Sequence, residues 1–263
     1  LEMESSIPNL GELAYVDKPK GELLVSQHKD LYIVDQFRRI LTDMQLYDGG
    51  EMTKTVMVTS SIAGEGKSYV SANLAVTLAL SGKKTALIDL DLRKAGVSQL
   101  FNLSDEVGVS QVLADGLLVN IGIQKMDNLT VFPAGLKNLE SSSLLVGNNL
   151  KALIKEIKYE FDAIIIDTPP TTLVADANLV APFVDKAIIV VRHDHTPKFI
   201  LKHIDATVKR KGFENSALVF NGVRIRGIVK QGYGYGYGYE EPISNNNNSF
   251  ITAFLEKVGL KKR

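Results

Sequence analysis

The chain of 263 residues contains no cysteine. That absence excludes disulfides, thiol nucleophiles and zinc–thiolate centres. It also lacks an excess of charge of either sign: 30 lysines and arginines stand against 30 aspartates and glutamates. No global field draws it to a polyanion, so no nucleic-acid partner is expected. No apolar run is long enough to span a bilayer, and no signal peptide opens the sequence. The opening Leu1-Glu2-Met3 reads as a remnant joined to a fragment, which leaves room for a membrane segment upstream. What is present is ordinary globular material, 45% hydrophobic, enough for one large α/β domain with appendages or two small domains.

Residues 1–26 are polar, hold Pro8 and Pro19 and show no clear period, which predicts an extended lead-in. Val34, Phe37, Leu41 and Met44 then recur at helical spacing until Gly49-Gly50, predicting an amphipathic helix ahead of the main domain. Short β-rich runs follow at 55–59, 85–90, 129–132, 163–167, 187–191 and 217–220. Between them lie stretches of helical period, such as 69–80 closed by Gly82, and 145–157. Strands alternating with helices predict an α/β fold with a doubly wound, mostly parallel sheet and flanking helices, occupying residues 27–228. Residues 229–248 combine a Tyr/Gly repeat, Pro242 and four consecutive asparagines, and are expected to stay flexible. Residues 249–263 recover a pattern, with Phe250, Ile251, Phe254, Leu255 and Val258 on one face and Lys257, Lys261, Lys262 and Arg263 following. Such a short basic amphipathic helix suits an anionic membrane or a partner, or packs back on its own domain.

Three motifs carry chemistry. The apolar run Val56-Met57-Val58-Thr59 leads into Ser60-Ser61-Ile62-Ala63-Gly64-Glu65-Gly66-Lys67-Ser68 and then a helical stretch. A strand, a glycine-bearing loop and a helix start in that order form a phosphate-binding loop whose backbone N–H groups wrap phosphate oxygens. Lys67 is placed to reach the β and γ phosphates and Ser68 to ligate magnesium, while Ser61 stands where the pattern usually has its first glycine. The second motif, Leu87-Ile88-Asp89-Leu90-Asp91-Leu92-Arg93, puts two aspartates at a strand's carboxyl end, where they can hold magnesium or accept a hydroxyl proton. The third, Ile164-Ile165-Ile166-Asp167-Thr168-Pro169-Pro170, ends a buried strand in the carboxylate expected behind the magnesium of a nucleotide site. The cofactors implied are ATP and Mg2+. His193-Asp194-His195 is read as a solvated strand-to-helix loop rather than a metal site, and Arg224 and Arg226 as surface charges or phosphate contacts at the root of the tail.

Four of the nine tyrosines, Tyr233, Tyr235, Tyr237 and Tyr239, alternate with glycine in the tail. Beside a phosphate-binding loop they make a cluster of acceptor hydroxyls for self-phosphorylation; the alternative is a low-complexity linker. The roughly sixteen residues from Val223 to Tyr239 can extend about 50 Å, so transfer within or between subunits is possible on length alone. Four phosphotyrosines would add roughly −6 to −8 charges, enough to expel the tail from a carboxylate-lined pocket and loosen an assembly.

With its motifs and tyrosine tail, the chain resembles the bacterial tyrosine kinases that regulate capsular and exopolysaccharide export, a deviant-Walker branch of P-loop ATPases shared with the Min and Par partition ATPases. The resemblance covers roughly residues 30–240. It implies that Gly64, Glu65, Gly66, Lys67, Ser68 and Tyr69 bind nucleotide, that Asp89 and Asp91 form the additional Walker A′ motif with Asp89 as the base, and that Asn221 contacts adenine. Lys67, Asp89 and Asp91 are then the catalytic residues and Ser68, Asp89 and Asp167 the metal residues. Tyr69 falls where a small hydroxyl residue is usual and reads mainly as a packing residue. The family's Glu-x-x-Arg-x-x-Arg subunit contact maps to Asp35, Arg38 and Leu41, one arginine short. No tyrosine follows Arg93, so the activating switch of Gram-negative members is not expected. The partners implied are a homo-oligomer, as a ring or transient dimer, a membrane-embedded polysaccharide co-polymerase and a counteracting tyrosine phosphatase, all at the cytoplasmic side of the inner membrane. The rival reading is a partition-type switch ATPase acting through its carboxy-terminal helix, although the signature lysine of those proteins is missing from Ser61, Ile62 and Ala63.

Overall fold

The computed structural model describes residues 5–16, 31–45, 54–116, 121–137, 141–171, 176–211 and 215–224. The Tyr/Gly repeat, the asparagine run, Arg226 and the basic helical pattern at 249–263 lie outside the described residues. One eight-stranded sheet organises the rest. Its strands are β1 (Asn9–Ala14), β2 (Lys54–Ser60), β3 (Thr85–Asp89), β4 (Ile123–Met126), β5 (Leu129–Phe132), β6 (Ala163–Asp167), β7 (Lys186–Arg192) and β8 (Ser216–Val223). They lie in the order β1-β8-β7-β2-β6-β3-β5-β4, and every pair is parallel except β4 with β5. All six strands expected from the sequence are present.

The central strands read as unbroken apolar runs because both faces of the sheet are covered. Every residue of β3 and of β6 is buried. Alternation sorts their side chains into two cores. Val56, Val58, Leu87, Ile165, Ile188 and Val190 point to one face, where α1 (Leu31–Asp43) and α2 (Lys67–Leu80) pack. Met57, Ala86, Ile88, Ile164, Ile166 and Ala187 point to the other, against α3 (Val109–Asp115) and α4 (Asn148–Glu160). On that second face α5 (Lys198–Lys211) sets Ile200, Leu201 and Ile204 against Ile189, Val191 and Leu218. Helix α2 is buried almost all round, through Val70, Ala72, Leu74, Ala75, Val76, Leu78 and Ala79, as a helix at the centre of a layer must be.

Two results depart from the sequence reading. The lead-in expected over 1–26 contributes β1, which pairs with β8, so the sheet begins ahead of the boundary drawn at residue 27. Its sequence Asn-Leu-Gly-Glu-Leu-Ala conceals the strand because an edge position needs only one buried side chain, Leu13. The edge strand β4 was also missed, for it is mostly exposed. The leading helix is present as expected: Val34, Phe37, Leu41 and Met44 are all buried in the first core.

The side chain of Leu13 is fully buried against the core that α1 covers. Leu13→Ala should therefore cost about 2–5 kcal/mol, measured by urea denaturation, whereas a dispensable lead-in would leave the midpoint unchanged.

Candidate functional site

Ligands of open α/β sheets sit beyond the carboxyl ends of the strands, and there the motifs converge. The chain leaves β2 at Ser60, loops through 61–66 and enters α2 at Lys67. Gly66 holds φ +94°, and a Cβ there would lie 2.3 Å from Asn221 Nδ2, so only glycine fits. Ser61 earns its place where the pattern has glycine. Its hydroxyl donates to Glu65 Oε1 at 2.7 Å, and Ile62 N–H donates to Glu65 Oε2 at 2.8 Å, closing the loop upon itself.

The strand register brings the acids together. Thr85 pairs with Ala163, and four residues on Asp89 pairs with Asp167, while Val58 pairs with Asp167 from the other side. Asp91 follows two residues later, and all three carboxylates are buried. Lys67 is their cation: its Nζ lies 2.6 Å from Asp91 Oδ2 and 3.2 Å from Asp167 Oδ2. Ser68 Oγ donates to Asp167 Oδ2 at 2.6 Å, and Ser71 Oγ donates to Asp167 Oδ1 at 3.0 Å. Asp89 Oδ2 accepts from Ser98 N–H and Oγ at 2.8 and 2.9 Å, and its Oδ1 accepts from Asp91 N–H at 3.2 Å. Apart from Lys67, no hydrogen-bond donor among the described residues reaches Asp91 Oδ2.

Three acids and one cation in a water-poor site must share protons unevenly. Burial and then the neighbouring Asp167 push Asp89 up to about 7, against the donors on Ser98 and the charge of Lys67. Burial likewise raises Asp167, with Lys67 and Ser68 opposing. Burial disfavours the ammonium of Lys67, but Asp167 and Asp91 outweigh that cost and hold its pKa above the usual lysine value. The lysine is therefore charged at neutral pH and compensates part of the acidic cluster.

The other expected residues fall as follows. The Tyr69 ring packs on Phe37 of α1, with centroids 6.2 Å apart. Asn221 is buried and donates from Nδ2 to Glu65 O at 2.9 Å. Asp35 and Arg38 pair with each other at 3.1 Å on the exposed side of α1, whereas Leu41 is fully buried in the core and offers nothing to a neighbour. His195 Nε2 meets Ala63 O at 2.9 Å, and His193 Nδ1 accepts from Arg224 N–H at 3.2 Å. The Arg224 guanidinium lies over the Tyr15 ring, 3.9 Å from its centroid.

Three groups near the site make contacts that escaped the sequence reading. Ser98 joins Asp89 to the segment after β5 by accepting from Ala134 N–H at 3.0 Å. Asp176, fully buried, accepts from Ser142 Oγ and lies 4.0 Å from Arg93 Nε. Thr196 Oγ1 donates to Glu65 Oε1. Each is a short polar side chain whose partner is distant in sequence, so spacing gives no sign of it.

The raised Asp89 sets the sign of a pH effect. Between about 4, its ordinary value, and about 7 the folded state holds a proton that the unfolded chain has released, so stability from this group falls as pH rises through that window and levels above it. Asp89→Asn should therefore gain stability relative to the unaltered protein as pH rises from 4.5 to 7.5, read as a widening difference in urea midpoints. A constant difference would show that the carboxyl is ionised throughout.

The ParA family, described as NUBPL iron-transfer P-loop NTPase, matches residues 51–229. The chain is 34% identical over 204 residues to the tyrosine-protein kinase YwqD of Bacillus subtilis, spanning 76% of this chain and 85% of that protein. It is 31% identical over 160 residues to the succinoglycan biosynthesis transport protein ExoP of Rhizobium meliloti, spanning 59% of this chain and 20% of that longer protein. Among solved structures, the chimerical protein CapA2B2 superposes with a TM-score of 0.76 at 27% identity, covering 85% of this chain and 98% of that one. The chain belongs to the bacterial tyrosine-protein kinases within the ParA-type P-loop NTPases.

Proposed function

We propose that this domain transfers the γ-phosphoryl group of ATP to tyrosine hydroxyls of its own tail, Tyr233, Tyr235, Tyr237 and Tyr239, chiefly on a neighbouring subunit. The observation that carries the reading is the cage around Lys67: a P-loop lysine held by Asp91 and Asp167 beside the Ser68 hydroxyl. These oxygen donors fit a hard divalent cation. Mg2+ is such an ion, and it keeps waters and takes substrate phosphate oxygens as ligands. Ser68 and Asp167 would hold it, with Asp89 behind them in the adjoining register. Once bound, it would neutralise charge on the phosphates during transfer.

Lys67 would then exchange its carboxylates for phosphate oxygens, and the loop amides would hold the rest of the charge. The tyrosine oxygen forms a bond to the γ-phosphorus, the bond from that phosphorus to the bridging oxygen breaks, and ADP leaves. The phenolic proton needs an acceptor. We assign it to Asp91, whose Oδ2 becomes open when Lys67 moves, rather than to Asp89, whose oxygens are already taken by Ser98 and Asp91 N–H. Asn221, its NH2 on Glu65 O, would offer Oδ1 to the adenine amino group. Most of the acceleration would come from positioning.

The setting we infer is capsule or exopolysaccharide synthesis and export, supported by the name of the ExoP relative. There the domain would work at the cytoplasmic face of the bacterial inner membrane, bound or fused to a co-polymerase, and would cycle between a homo-oligomer and separate subunits as its tail is phosphorylated and a phosphatase reverses it. The exposed Asp35–Arg38 pair on α1 is the contact we assign to that assembly. No helix among the described residues is long and apolar enough to cross a membrane. A second reading, a ParA-like switch ATPase that binds a membrane or partner through its carboxy-terminal helix, draws on the ParA match.

Incubation with Mg-ATP and mapping of phosphate by mass spectrometry separates the two. Phosphate on Tyr233, Tyr235, Tyr237 or Tyr239, lost in Lys67→Met, is expected; steady ATP hydrolysis with an unmodified tail would favour the switch ATPase.

A further inference from the structure

Three consecutive carbonyls of the phosphate loop are held from outside. Ala63 O meets His195 Nε2 at 2.9 Å, Gly64 O accepts from Arg192 Nη1 at 2.8 Å, and Glu65 O accepts from Asn221 Nδ2 at 2.9 Å. A trans peptide is planar, with its N–H directed opposite its C=O. Anchoring these carbonyls on the outer side therefore turns the N–H groups of Gly64, Glu65 and Gly66 the other way, toward the side where a phosphate would be cradled.

The outer anchors are Asn221 in β8, Arg192 at the end of β7 and His195 in the turn that follows Arg192 and leads to α5. That turn needs a fixed attachment of its own if it is to hold the loop. It has one in Thr196. The hydroxyl accepts from Arg192 N–H at 2.8 Å, which commits its single proton to Glu65 Oε1. The Glu65 carboxylate is fully buried, and it gathers Ser61 Oγ at 2.7 Å and Ile62 N–H at 2.8 Å as well. One buried carboxylate thus ties the first residues of the loop to the turn that holds its middle.

We propose that Glu65 and Thr196 are positioning residues for phosphate binding: Glu65 acts not by touching nucleotide with its side chain but by receiving Thr196, and the pair fixes the direction of the loop amides. The inference rests on the proposed nucleotide site but not on phosphoryl transfer. Removing the Thr196 hydroxyl leaves Arg192 N–H and Glu65 Oε1 each short of a partner, and the anchors on Gly64 and Ala63 loosen together.

The test measures ADP affinity in the presence of magnesium and amide exchange at Ile62 in the ligand-free protein, for Thr196→Val, Thr196→Ser and Glu65→Gln. Thr196→Val should bind ADP about tenfold more weakly, the scale of one lost charge-assisted hydrogen bond, and its Ile62 amide should exchange faster. Thr196→Ser, which keeps the hydroxyl, should stay within about twofold of the unaltered protein. Combining Glu65→Gln with Thr196→Val should weaken binding no further than the worse single change, since both break one contact. If Glu65→Gln does not fold, the two Thr196 variants decide alone. ADP affinity of Thr196→Val equal to that of the unaltered protein, or Thr196→Ser as weak as Thr196→Val, overturns the proposal. A protein that binds ADP in this pattern yet leaves its tyrosines unmodified overturns the kinase reading and supports this one; an unaltered protein with no ADP affinity overturns both.

Discussion

The buried ion cluster formed by Lys67 with Asp89, Asp91 and Asp167 is the constraint to which the rest of the structure answers. Three carboxylates at the ends of neighbouring strands repel one another and are costly to take out of water. One lysine cannot balance three acids, so a proton is retained on Asp89 up to about neutrality, and the donors on Ser68, Ser71 and Ser98 stabilise the ionised forms. A cluster of this kind is poor as a source of stability. Its carboxylates and hydroxyl offer oxygen donors that suit a hard divalent cation, and its single lysine a charge that suits a phosphate.

The fold exists to keep that cluster in register. A parallel sheet buried on both faces fixes the relative heights of β2, β3 and β6, since a slip of one residue would send every alternate side chain into the wrong core. Asp89 beside Asp167 is thus a consequence of packing at Ile88, Ile166 and Met57 on one face and Leu87, Ile165 and Val58 on the other.

What the sequence disclosed and what it hid divide along physical lines. Strongly apolar runs bounded by turn residues gave the six inner strands, and the order strand, glycine loop, helix gave the phosphate loop, because both signals are local. The acids at the ends of β3 and β6 were legible for the same reason. Leu13 alone could not announce β1, and a strand exposed along most of its length, like β4, has little periodicity to read. The parts of the site that stayed hidden, Ser98 on Asp89 and Thr196 on Glu65, join positions 9 and 131 residues apart through single hydroxyls. Nor could the motif tell Asp89, whose oxygens accept from Ser98 and Asp91 N–H, from Asp91, whose Oδ2 meets Lys67 alone among the described residues.

The parallel pairing of β1 with β8 carries a mechanical consequence. Tyr15 N–H donates to Val223 O at 2.9 Å, so the end of β1 lies beside the end of β8, and the start of β1 lies at the opposite end of the ladder. Tension applied between the segment that enters β1 and the segment that leaves Arg224 would pull two parallel neighbours in opposite directions along their length. Such a load falls on all their shared hydrogen bonds at once, in shear, instead of opening them one by one. The strand that would carry this load, β8, is also the one whose Asn221 holds Glu65 O of the phosphate loop, so traction along the edge bears on the loop as well.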